Sequence, residues 1–200
     1  MLRKIFFFYI LFIFFNNYLE AKSFQIIITV DNDPITNIDL ENEKKILSIL
    51  NKKNISDNYK NIALNNLVEE SIKKKEIKKE NLKIDQTLIN EYYLLLIKNL
   101  NLDINKIDQN LLLLIKKKIE TDKLWNNLIL QKYSWKISIN MNEIDKKISN
   151  DYKQENISKE KIKESLILEE KNKKLAVFSK YHLNMLKKQS LIKYIKWKKL

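Results

Sequence analysis

Side chains able to carry covalent chemistry are scarce in this chain. His182 is the only histidine, and there is no cysteine. A nucleophilic or metal-binding constellation needs several such groups converging, and no thiolate or second histidine is present to join it. His182 lies four residues after Phe178 and three before Met185, so it shares their helix face and reads as a core or boundary histidine. The carboxylate pairs Glu69-Glu70 and Glu169-Glu170 are adjacent in helical sequence. Neighbours on a helix point about 100° apart, so each pair reads as a solvated face rather than a converging acid and base. Glycine is absent, which removes phosphate-cradling loops and Rossmann turns. The sequence thus predicts no catalytic residue, no cofactor, no metal site, and a protein that is not an enzyme.

Binding chemistry is better represented. Tyr92, Tyr93, Trp125, Tyr133 and Trp135 sit on or beside two central helical stretches, with Leu96 and Leu128 among them. Aromatic side chains offer large contact area with a polar tip, and such residues either fill a core or form an exposed binding face. These seven are the candidate binding residues. The formal charge of +13 suits nucleic acid, an anionic membrane surface or acidic partners. The Lys-rich run Lys73 to Lys79 is either a phosphate-binding patch or a solvated helix end.

The elements that must position these residues begin at Ile26 to Leu40. Ile26 to Val30 is β-branched throughout and predicts a strand. Asp31, Asn32 and Asp33 supply turn chemistry, and Pro34 ends the strand. Thr36 with Asp39 forms a capping box, and Ile35 with Leu40 a hydrophobic staple, so a helix is expected from about Asn37 to Leu50. Ser56 or Asp57 caps a second helix, with Ile62, Ala63, Leu64, Leu67, Val68 and Ile72 at helical spacing.

A third helix follows Asp85, with Leu88, Ile89, Tyr92, Tyr93, Leu96 and Leu100 toward a core. It is apolar around much of its circumference, so part of its surface must meet another helix or a binding partner. A long helical pattern runs from about Lys106 to Tyr133, continuous or kinked near Thr121. Trp135 to Ile139 alternates as a short extended segment, and Asn140 caps a helix carrying Ile144, Ile148 and Tyr152. The last helix carries Leu168, Leu175, Phe178, His182 and Met185 on one stripe and leads to an alternating strand, Leu191 to Trp197.

The beginning of the chain reads as a targeting signal. Arg3 and Lys4 precede an apolar run from Ile5 to Phe15, well short of the ~20 residues that span a bilayer. Ala21-Lys22-Ser23 then offers a small-x-small cleavage pattern. Export from the cytoplasm is expected, with an uncleaved anchor as the alternative. Export weighs against nucleic acid as a partner.

Val30-Asp31-Asn32-Asp33-Pro34-Ile35-Thr36, followed by Asp39-Leu40, resembles the opening of the SurA N-terminal domain family of periplasmic chaperones. The segment from Ile137-Ser138-Ile139 to Glu143-Ile144 is similar to the close of that family's helical domain, and the final helix and strand resemble its C-terminal element. Longer members carry parvulin-type peptidyl-prolyl isomerase domains, for which Asn150 to Lys159 leaves no room.

The resemblance implies a mostly α fold: a SurA N-terminal-like helical domain with a small antiparallel pairing of N- and C-terminal strands, Gln25 to Val30 against Leu191 to Trp197. Residues 1–23 are expected to form the signal peptide, 24–157 the helical domain, and 158–200 the helix and strand that complete it. The implied function is a periplasmic, ATP-independent chaperone for unfolded secreted or outer-membrane proteins. Two other readings stand beside it: a parvulin relative with a residual or accessory isomerase role, and a basic surface protein making weak contact with anionic lipid.

Overall fold

The computed structural model describes residues 24–52, 58–151 and 158–195. The expected signal peptide, the Ser56 and Asp57 caps, Tyr152 and Trp197 lie outside the described residues. Among the described residues there are six α-helices and three short strands: β1 (Ile26–Val30), β2 (Asp33–Thr36), α1 (Asn37–Asn51), α2 (Asn58–Lys79), α3 (Gln86–Asn99), α4 (Gln109–Tyr133), α5 (Met141–Asp151), α6 (Lys159–Gln189) and β3 (Ile192–Tyr194). The fold is mostly α with a small antiparallel sheet.

The sheet brings the distant ends of the described chain together. Its order is β2-β1-β3. Ile28 faces Tyr194, Thr29 faces Lys193 and Val30 faces Ile192 across an antiparallel pair. The expected pairing of the first and last strands is therefore present, over a shorter stretch. Strand β2 is an addition to the expectation. Pro34 was expected to end extended structure, yet it sits within β2 opposite Thr29. A proline lacks an N–H and is tolerated on an edge strand, which is where β2 lies. The turn between β1 and β2 places Asp31 at φ 50° and Asn32 at φ 76°. Two positive-φ residues in succession match the tight hairpin turn, and Asp and Asn tolerate that region without glycine.

The capping box at Thr36 forms in full. Thr36 N–H donates to Asp39 Oδ2 at 2.8 Å, and Asp39 N–H donates to Thr36 Oγ1 at 3.1 Å. Ile35 and Leu40 are buried in the same cluster, as a staple requires. Elsewhere asparagine does the work of the missing glycines. Asn81 and Asn101 take φ 51° and 47° just past the ends of α2 and α3. Behind them Leu82 N–H reaches Ile77 O and Leu102 N–H reaches Ile97 O, closing each helix with a Schellman-type bond.

One main core joins the sheet to α1, α2, α4 and α6. It contains Ile28 and Val30 from β1, Leu40 from α1, Val68 and Ile72 from α2, Leu128 and Ile129 from α4, and Leu183 from α6. A second cluster centres on Ile46, Leu111 and Ile115, with Tyr93 and Leu96 of α3 packed against it. A third joins Ile144 of α5 to Ile162 and Leu166 of α6. The last helix thus has two anchors, one near each end.

Helix α4 is a single uninterrupted helix of 25 residues, about 37 Å long at 1.5 Å per residue. Thr121 Oγ1 donates to Lys117 O at 3.0 Å within it. Asp108 caps its start, and the residues before form a separate 3-10 turn, Ile104–Lys106. The expected extended segment at Trp135 is also corrected. Ser134–Lys136 is a 3-10 turn, and only from Ile137 does the backbone become extended, without a strand partner. Period-two alternation over five residues fits an irregular connection as well as a strand when no neighbouring strand is present.

Candidate functional site

The seven candidate binding residues separate cleanly by burial. Trp125 is 2% exposed, and its Nε1–H donates to Ser179 Oγ of α6 at 2.8 Å. Leu128 is fully enclosed beside it. Tyr133 is buried, stacks on Phe178 with ring centroids 5.0 Å apart, and its hydroxyl lies 2.8 Å from His182 Nδ1. These three residues are core, not open surface, because α6 lies over that face of α4. Tyr93 and Leu96 are half-buried against the second cluster. Tyr92 and Trp135 are exposed. Lys123 Nζ sits 3.3 Å from the Tyr92 ring centroid, a cation–π contact. Trp135 is 76% exposed and is held in place by its own Nε1–H, which donates to Lys132 O at 3.0 Å.

Helix α3 exposes more apolar surface than the sequence placed there. Leu88 was expected to face a core but is exposed, as are Leu94 at 63% and Leu95 at 52%. Leu88, Tyr92 and Leu95 recur at i, i+4 and i+7, which puts them on one stripe of the helix. Of the buried positions in α3 only Ile89 is fully enclosed. Leu88 and Leu95 lie open on this stripe, with Tyr92 between them capped on one side by Lys123, and together they form a surface able to bury apolar groups of a partner.

A groove of about 920 Å³ opens beside this core, between α4 and α6 with α2 at one side. Leu130 of α4 and Leu168 of α6 face it, and both are exposed. Leu168 was placed on the core stripe of the last helix. It is uncovered instead, because it lies in the part of α6 between the two anchoring clusters. Asn126 and Asn127 of α4 and Asn172 and Asn184 of α6 line the same groove. No sequence signal marked it, since it arises where two separately anchored helices run beside one another.

The charges form two interhelical networks. Glu43, 3% exposed, accepts from Lys118 Nζ at 3.0 Å and from Asn66 Nδ2 at 2.8 Å. Lys118 also donates to Glu70 at 2.8 Å. Burial opposes the charge on Glu70, but Lys118 and Lys74 outweigh it and hold this carboxyl below its usual range. Glu70 is therefore part of an interhelical clamp and not a solvated face. The run Lys73 to Lys79 is also engaged: Lys73 pairs with Asp122, Lys74 with Glu70 and Lys75 with Asp31, while Glu76 and Ile77 are buried.

The second network surrounds the only histidine. His182 is 4% exposed. Burial first, and then the nearby Lys132, push its pKa down, against the opposing pull of Glu76. Tyr133 Oη and His182 Nδ1 share one hydrogen bond, which leaves Nε2 as the ring's other polar atom. That atom has no hydrogen-bond partner among the described residues, and Glu76 Oε1 is 3.7 Å away. Lys132 ties Glu76 and Glu80 together at 3.3 and 2.6 Å. Trp125 and Tyr133 pack their rings against His182, and Phe178 stacks on Tyr133, so the imidazole is walled in. Among the described residues, no group of three or more His, Cys, Asp or Glu side chains is placed to hold a metal ion. No described helix is long and apolar enough to cross a membrane.

The sequence matches no protein-family model and no curated protein. What the molecule can do is read from its surfaces.

Proposed function

We propose that this protein binds unfolded or partly folded polypeptides, without ATP and without covalent chemistry, and keeps them from aggregating. The observation that carries the reading is the exposed stripe Leu88, Tyr92 and Leu95 on α3. A client's aliphatic and aromatic groups buried there gain about 25 cal/mol per Å² of apolar surface. A shallow helix face imposes little shape selectivity, which suits many clients of unrelated sequence. The glycine-free chain has no phosphate-cradling loop, which favours an ATP-independent mode. The SurA-like order of elements and the signal-like first residues extend the reading to exported clients, outer-membrane proteins among them, met in the periplasm.

Light scattering of an unfolded outer-membrane protein, diluted from urea with and without this chain, tests the reading. A proline-isomerisation assay is run beside it. Suppressed scattering without faster isomerisation is the expected result. Faster isomerisation would favour a parvulin-like role, and undiminished scattering would overturn the proposal.

A further inference from the structure

The groove between α4 and α6 has a chemistry distinct from the α3 stripe. From α6 the lining residues Leu168, Lys171, Asn172, Leu175, Ala176 and Ser179 come at three- and four-residue intervals, so a broad arc of the helix borders it. The pattern continues through Lys180 and Asn184. From Leu168 to Asn184 that arc is about 24 Å long at 1.5 Å per residue. The opposite wall carries Asn126, Asn127 and Leu130.

Three features of the lining define an occupant. First, the four asparagines are exposed and make no hydrogen bond among the described residues. An amide side chain carries both donors and an acceptor, the same complement as a peptide backbone. Amides on both walls therefore match an extended chain whose own N–H and C=O groups are unpaired. Second, Leu130 and Leu168 supply apolar contact without forming a closed pocket. Third, the groove carries uncompensated positive charge. Lys73 is paired with Asp122, and Glu69 with Lys187 at 3.7 Å. Lys171 and Lys180 have no carboxylate partner among the described residues, and neither has an acidic residue three or four positions away on its own helix.

We infer that this groove seats an extended, acidic segment of a bound polypeptide, with its backbone against the asparagines and two carboxylates on Lys171 and Lys180. The inference rests on the polypeptide-binding reading and names the kind of segment that the protein prefers. The two lysines are nine residues apart in sequence, about 13 Å along the helix axis and on opposite sides of α6, so they stand at opposite edges of the groove. Segments carrying several acidic residues are the preferred ligands.

Fluorescence anisotropy with the full chain tests this. The probes are three labelled, unstructured peptides of the same apolar composition, with Glu, Gln or Lys at several positions. The Glu peptide should bind at least about fivefold more tightly than the Gln peptide at low salt, the scale of two exposed ion pairs. The gap should narrow above about 0.15 M salt, where the Debye length falls to ~8 Å. The double variant Lys171→Glu/Lys180→Glu should invert the preference in favour of the Lys peptide. Lys45→Glu/Lys83→Glu, with the same net charge at exposed sites elsewhere, should preserve it. Ala176→Trp, at an exposed position inside the groove, should weaken all three peptides while leaving the unfolding midpoint unchanged.

Equal affinity for the Glu and Gln peptides would overturn the inference, as would a preference that survives charge reversal at Lys171 and Lys180. Anionic lipid vesicles or RNA that lose affinity in the reversed variant, while the peptide preference stays intact, would also overturn it. If scattering is still suppressed by wild-type protein in those cases, the groove assignment fails alone. If wild-type protein neither suppresses scattering nor binds any peptide, the polypeptide-binding reading has failed and carries the inference with it.

Discussion

Asp31 and Leu191 exchange two hydrogen bonds across 160 positions of sequence. Asp31 N–H donates to Leu191 O at 2.9 Å, and Leu191 N–H donates to Asp31 Oδ1 at 2.7 Å. The other carboxylate oxygen accepts from Lys75 of α2 at 2.6 Å. One residue in the hairpin turn thus fastens the entry to β3 and the end of a helix at once. These bonds, Lys75 foremost, hold the Asp31 carboxyl below its usual range.

Replacing Asp31 with Ala should destabilise the protein by about 2 kcal/mol, since both side-chain bonds go and Ala tolerates the left-handed region less well than Asp. Asp31→Asn, which keeps the turn propensity, should cost under about 1 kcal/mol. Urea unfolding midpoints compare the two. Hydrogen exchange on a chain lacking residues 191–200 extends the test: Ile27, Ile28 and Thr29 should lose protection. Unchanged protection there would mean that β1 does not depend on β3.

The clamp at Lys118 gives a second expectation. Lys118→Met leaves Glu43 nearly fully buried with Asn66 as its remaining partner, and should cost about 3 kcal/mol. Because Glu70 is held below its usual range in the folded state, its contribution is present above about pH 4.5 and is lost as pH falls below that. The acid limb of the stability profile should therefore be shallower in the Met variant than in wild type.

His182 gives a pH dependence of the same direction in a higher range. Its folded pKa is lowered, so below about pH 6.5 the unfolded chain binds a proton that the folded chain excludes. Stability should fall as pH drops through that value, by at most ~1.4 kcal/mol per pH unit for one proton. The groups facing it are Tyr133 and Lys132 from α4 and Glu76 and Glu80 from α2. A His182→Phe variant should lose this slope in urea titrations between pH 7.5 and 5.5. A slope that survives the substitution would assign it to other groups.

Burial also separates the aromatics. Trp125→Ala should cost about 3–5 kcal/mol through the cavity it leaves, whereas Trp135→Ala should fall within about 0.5 kcal/mol of wild type. Thermal denaturation of both variants reads the difference.

What the sequence carried was local chemistry. Thr36 and Asp39 are three residues apart, and their mutual bonds need nothing else from the fold. The alternation at Ile192 to Tyr194 identified the partner of β1 because so few segments are β-like. Strand β2 escaped notice because Pro34 is a strand breaker everywhere except at an edge, and edge status is a property of the finished sheet. The aromatics of α4 were recognised as one group, but their exposure depends on where α6 comes to rest. Ser179, Phe178 and His182 cover Trp125 and Tyr133 from some fifty residues away. Lys118 and Glu43 are 75 apart, and no short-range pattern couples them. The α4–α6 groove is long-range in the same sense.

The central claim is that the exposed stripe of α3 holds unfolded polypeptide. Site-specific photocrosslinking at Leu95, with an unfolded outer-membrane protein as client, tests it most directly. A photoreactive residue at Leu95 should capture the client, and a folded form of the same client should not be captured. The same group at Lys45, exposed on α1, should give little product. If Leu95 yields no crosslink while the protein still suppresses aggregation, the client is held elsewhere and the account of α3 is contradicted.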